Sequence, residues 1–152
     1  NAFAPMDAAG TITNTAVVSG GGITPITVTE TIGTESTPIL TITKSVSPVP
    51  VTENGTLTYT FLIQNAGSAP ADIGTDAVIV DTFNPLLSNL AVSFNGTAWA
   101  ETTNYTYDET TGVFTTIAGQ ITVPAATYTQ NPVTGVWTAD PGVSTLVVKG
   151  TI

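Results

Sequence analysis

Two pentapeptides, Thr11-Ile12-Thr13-Asn14-Thr15 and Thr41-Ile42-Thr43-Lys44-Ser45, differ mainly in that an asparagine stands where the other carries one of the chain's two basic side chains. Both alternate. Asn14 therefore falls on the apolar row of Ile12, Ala16 and Val18, and Lys44 on that of Leu40, Ile42 and Val46. An ammonium on an apolar row is costly unless it is paired, neutralised or consumed. Burial disfavours both ionised forms, so a lysine enclosed beside a carboxyl can pass it a proton and stand as a free amine. An amine aimed at an asparagine carboxamide is set for amide exchange. It attacks the side-chain carbonyl, the acid shuttles protons and ammonia leaves, with placement supplying most of the rate. The plain alternative is that Lys44 snorkels at a sheet edge to a carboxylate such as Asp81, while Asn14 bonds backbone.

Strands must position these groups. Residues 11–19 and 26–32 alternate and are parted by three glycines, so residues 11–37 read as an arm of two strands, the second carrying Val28, Glu30 and Ile32 on one row. From Leu40 the pattern is that of a sandwich. Residues 40–46 and 56–65 alternate, the latter with Leu57, Tyr59, Phe61 and Ile63 together. Residues 76–83 read as a strand and 84–90 as a connection with room for one helical turn. Hairpins follow, turning at Asn95-Gly96, at 108–112 and at 130–135. The last strand, 144–152, sets Leu146 and Val148 opposite Lys149. The expectation is an all-β fold: an immunoglobulin-like antiparallel β-sandwich over 39–152, preceded by an N-terminal arm and linker over 1–38.

Composition narrows the function. A net charge of −9, from two Lys/Arg against eleven Asp/Glu, leaves nothing to neutralise phosphates, which argues against nucleic acid and anionic lipid as partners. With no histidine and no cysteine, disulfides, thiol catalysis and zinc fingers are excluded, and no cofactor or metal is expected. No convergent carboxylate pair supports a glycosidase. No apolar run of about 18 residues marks a membrane span, and residues 1–10 lack the regions of a signal peptide; the Thr-rich, Lys-poor, acidic makeup is common in secreted microbial surface proteins, so a secreted protein with its signal peptide already removed is expected. Asp108 and Glu109 fit solvation of a turn better than calcium binding. Asn54, Asn95 and Asn104 each begin an N-x-Thr glycosylation sequence. Trp99 and Trp137 fit core packing better than sugar stacking.

Residues 40–71, LTITKSVSPVPVTENGTLTYTFLIQNAGSAPA, followed by AVIVDTF at 77–83, resemble the prokaryotic surface family called the conserved repeat domain, or domain of unknown function eleven, a likeness that extends over residues 38–152. The resemblance implies immunoglobulin-like modules on a cell surface. Such modules normally finish with a strand reading like GTITNTA. Here GTITNTAVV stands at 10–18 and the given sequence ends in KGTI, so the closing strand is expected at the front. It would fold back into its own sandwich or, the favoured expectation, complete a neighbour's by donor-strand complementation.

The Lys/Asn pair also resembles the autocatalytic isopeptide-forming immunoglobulin-like domains of bacterial pili and adhesins. Carried over, the resemblance implies Lys44 as nucleophile, Asn14 as acceptor, and Asp81 as the acid, with Glu30 the second choice. Ile12, Asn14, Ala16 and Val18 are then the donor strand. Ile42, Lys44, Leu146 and Val148 are the acceptor groove between the first and last strands of the sandwich. The expected partners are copies of the same chain in a head-to-tail filament, and the alternative is a fragment of a tandem-repeat stalk or adhesin that binds glycan or host protein through Trp99, Tyr105, Tyr107 and Trp137.

Overall fold

The computed structural model describes residues 10–20, 22–34 and 36–152. The period-two rows become twelve strands: β1 (Gly10–Gly20), β2 (Ile23–Thr34), β3 (Leu40–Ser47), β4 (Thr56–Asn65), β5 (Val80–Thr82), β6 (Ser88–Phe94), β7 (Thr97–Trp99), β8 (Tyr105–Tyr107), β9 (Val113–Thr116), β10 (Thr127–Gln130), β11 (Trp137–Asp140) and β12 (Gly142–Thr151). A five-stranded antiparallel sheet runs β3-β4-β12-β6-β7 and a three-stranded one β5-β9-β8, while β1-β2 and β10-β11 are separate hairpins. The fold is all-β and sandwich-like, as the alternation predicts.

Between the two sheets lies one apolar core. Leu57, Tyr59, Phe61 and Ile63 from β4 and Leu146 and Val148 from β12 meet Ile79, Phe83, Tyr105 and Phe114 from the smaller sheet and its approaches. Phe83 lies at the centre, stacked on Tyr59 at 4.7 Å and tilted against Phe114 at 5.6 Å.

Two local expectations change. The helical turn falls at Ile73–Thr75, capped by Asp72, and not in 84–90, where β6 begins at Ser88. Residues 76–79 do not join β5, because Asp76 ends that turn in the left-handed conformation at φ 50°. Ile79 instead bonds Thr116, its N–H donating to the hydroxyl at 2.9 Å.

Residues 36–39, between arm and sandwich, are tied down by Asn65, which is fully buried. Its Oδ1 accepts the N–H groups of Ile39 and Gly67, both at 2.9 Å, and its Nδ2 donates to the carbonyls of Ala69 at 2.7 Å and Pro124 at 3.0 Å. Gly67 is required beside it, since a Cβ there would stand 2.7 Å from the Ile39 nitrogen. Asn65→Ala strands four backbone groups. At about 1–3 kcal/mol for each one left unsatisfied, partly recovered by water, a loss of about 3 kcal/mol is expected in urea unfolding.

Candidate functional site: an open seam with a lysine at its centre

β3 is a sheet edge, and its register with β4 sets Leu40, Ile42, Lys44 and Val46 beside Asn65, Ile63, Phe61 and Tyr59. Paired residues share a face, so this row points toward the core. It is nevertheless uncovered. Leu40, Ile42 and Val46 are 37%, 50% and 39% exposed, while the neighbouring row of β4 lies at 0–5%. β3 and β5 are edges of different sheets with no hydrogen-bonded pairing between them, and the seam where they meet is bridged by Lys44 and Asp81.

Lys44 stands midway along the seam. Its ammonium pairs with Asp81 on β5 and lies 4.6 Å from the ring centre of Tyr59 and 5.5 Å from that of Phe83. Asp81 Oδ2 is closed off from solvent and has no partner besides that ammonium. Its strand explains why: Asp81 alternates with Val80 and Thr82 and faces inward between Ile79 and Phe83. Apolar hollows lie on either side of Lys44. One, of about 140 Å³, is lined by Leu40, Ile42, Ile63, Ile79 and Ile121 among others; the second, of about 250 Å³, includes Val46, Val49, Leu57 and Tyr59.

The arm is a hairpin. Its register pairs Asn14 with Glu30, Ala16 with Val28 and Val18 with Ile26. These six share one face, and the other carries Thr13, Thr15, Val17, Thr27, Thr29 and Thr31. Every described side chain of the hairpin is exposed, Val18 and Ile26 each at 59% and Val28 at 62%. Ile12 pairs with Ile32 through the backbone; their side chains, and residues 1–9, lie outside the described residues.

The structure thus brings Lys44 to Asp81 and Asn14 to Glu30, and leaves the two pairs apart within one chain. One expectation is corrected. The first and last strands of the sandwich have no groove between them, because β4 lies between β3 and β12 and is hydrogen-bonded to both. Leu146 and Val148 are core residues with no exposure, so of the expected acceptor set Ile42 and Lys44 line the seam and the other two do not. Periodicity places a residue on a face but is silent on strand order.

The aromatic residues considered as a ligand surface do not gather into one. Trp99 stacks on Phe94 at 4.8 Å and Tyr105 on Phe114 at 5.2 Å, and the Tyr107 hydroxyl accepts the Leu87 N–H at 2.9 Å. Trp137 lies on the separate β10-β11 hairpin. In the turn at 108–112, the hydroxyl and N–H of Thr110 bond Asp108 Oδ1 at 2.6 and 2.8 Å, holding its carboxyl down at about 2 from the ordinary 3.8. Among the described residues no cluster of three His, Cys, Asp or Glu could hold a metal ion, and no helix is long and apolar enough to cross a membrane. No family model, curated protein or solved structure matches the chain.

Proposed function

We propose that the protein is the structural subunit of an extracellular filament, in which the N-terminal hairpin of one copy completes the sandwich of the next by donor-strand complementation. The observation that carries this reading is the uncovered core-facing row of β3. The other edges of the two packed sheets, β5, β7 and β8, are each three residues long, whereas β3 offers eight, with no proline to block pairing. Covering Leu40, Ile42 and Val46, each near half exposed, contributes about 1 kcal/mol apiece, and backbone pairing adds to it.

The hairpin supplies the complement. β1, at eleven residues, spans the edge, and Ala16 and Val18 of its apolar row are themselves exposed. Alongside β3, the arm's sequence of apolar, asparagine, apolar meets apolar, lysine, apolar, and side chains on adjacent strands lie about 5 Å apart at Cβ. A copy whose arm lies in its neighbour's seam keeps its own seam open for a third. The contact is heterologous and grows into a fibre.

In that arrangement Lys44 faces Asn14 from one side and Asp81 from the other. The ammonium passes a proton to Asp81, and Nζ attacks Asn14 Cγ. Nζ then gives up a second proton, Asp81 hands both protons to the departing nitrogen and is again a carboxylate, the carbon–nitrogen bond of the carboxamide breaks, the nitrogen leaves as ammonium, and an Nζ–Cγ amide links two subunits. The reaction occurs once per subunit and is no enzymatic turnover.

Complementation between two blocked variants tests the assembly. Ile42→Asp places an unpaired charge in the seam and Val18→Asp does so on the arm, so each alone is expected to remain monomeric in analytical ultracentrifugation. An equimolar mixture retains one good arm and one good seam per pair and is expected to stop at dimers. Fibres from either variant alone, or a mixture that stays monomeric while the unaltered chain polymerises, would overturn the proposal.

A further inference from the structure

The three N-x-Thr asparagines are treated unequally by the fold. Asn95 turns the chain between β6 and β7, and its carboxamide is fully engaged: Oδ1 accepts the Thr145 N–H at 2.8 Å and Nδ2 donates to Ser144 Oγ at 3.2 Å. Ser144 is itself 1% exposed and donates onward to the Thr122 carbonyl at 2.7 Å, so a group attached to Asn95 Nδ2 breaks into a connected, part-buried network. Asn104 is engaged in the same way. Its Oδ1 accepts the Ala100 N–H at 2.9 Å and its Nδ2 donates to Gln120 Oε1 at 2.7 Å.

Asn54 and Asn95 are alike exposed in turns at positive φ, and Asn54 differs in its side chain. It sits exposed in the turn between β3 and β4 at φ 58°, and its side chain makes no hydrogen bond among the described residues. The turn beneath it is fixed, with the Gly55 N–H donating to the Thr52 carbonyl at 2.8 Å and the Ile152 N–H to the Gly55 carbonyl at 3.1 Å. Thr56, the hydroxyl residue of the same sequence, is also exposed. A rigid base thus presents an unengaged carboxamide and its threonine to solvent.

We infer that Asn54 is the N-glycan acceptor of the folded protein, and that Asn95 and Asn104 are closed to modification once the chain has folded. The partner is an oligosaccharyltransferase with a lipid-linked oligosaccharide as donor. The Asn54 Nδ2–C1 bond forms, the anomeric carbon–oxygen bond to the lipid phosphate breaks, the lipid phosphate leaves, and the amide gives up one proton. N-glycans are bulky surface groups, which fits a turn tip and not a hydrogen-bonded hairpin.

The full chain, folded or unfolded in urea and diluted immediately before use, is incubated with a single-subunit oligosaccharyltransferase and a lipid-linked oligosaccharide, and site occupancy is read by glycopeptide mass spectrometry. In the folded chain, occupancy at Asn54 is expected to exceed that at Asn95 and Asn104 by about tenfold or more, the factor that one net hydrogen bond carries. Asn54→Gln should abolish folded-state modification, and the unfolded chain should be modified at all three sites. Equal occupancy of the three in the folded chain, or an unmodified Asn54 there, overturns the assignment.

Discussion

Without residues 1–34 the protein is expected to form no fibres and to sediment as a single sandwich, or to collect into shapeless aggregate through its open seam. The cut is placed there because Ile39 is bonded to Asn65 and Ser36 to Ser68, so a longer deletion would injure the sandwich as well. What remains keeps its whole core, since Leu57, Phe61, Phe114, Leu146 and Val148 draw no cover from the arm. It also keeps an eight-residue edge with Ile42 half exposed. A peptide of residues 10–34, added in excess, should bind that edge and raise the melting temperature by several degrees. Saturation at a hundred times the dissociation constant stabilises by about 2.7 kcal/mol, and a domain of about 120 residues gains about 4 °C per kcal/mol. Fibres from the shortened chain, or a peptide that leaves its melting unchanged, would count decisively against the filament reading.

Lys44→Met should leave fibres that fall apart into monomers in boiling detergent, where the unaltered protein is expected to persist as a ladder of covalent oligomers. Methionine suits the position, because the rings of Tyr59, Phe61 and Phe83 that surround Nζ accept an apolar chain as readily as an ammonium. Its defect is Asp81, left part-buried without a cation. Asp81→Asn in the same chain removes that cost, so the double variant separates a folding fault from a bonding fault. The single variant Asp81→Asn keeps the amine and loses the proton acceptor. It should assemble but retain the ammonia that the unaltered chain loses, as read by intact mass. Covalent ladders from Lys44→Met would show that any link lies elsewhere.

The row of Leu57, Tyr59, Phe61 and Ile63 is written in the sequence as alternation with a partner row that is polar except at Leu62, and β4 follows it residue for residue. The inward aspect of Lys44 and Asp81 follows from the same rule, because an ionisable group spaced two residues from apolar ones shares their face. The order of the strands is another matter. Placing β4 between β3 and β12 depends on pairings between residues far apart in the chain, which no local pattern records, and that is why Leu146 and Val148 belong to the centre of the core and not to its rim. The pairing of Asn14 with Glu30 depends on how tightly the chain turns at residues 20–22, where glycines permit several lengths of loop. Asn65 left no signal at all. A buried asparagine binding four backbone groups reads, in sequence, as one more polar residue before a loop.

In the proposed filament, the attachment of the arm and the lysine that receives a neighbour's arm both belong to β3 or its immediate approach. Tension would then enter each molecule at Lys44 and leave through residues 36–39 toward its own Asn14, travelling only the covalent backbone from 14 to 44. Most of the sandwich would hang beside this path and bear no load. Such a thread resists pulling as a continuous peptide cable does, and its globular parts need be no stronger than an ordinary folded domain.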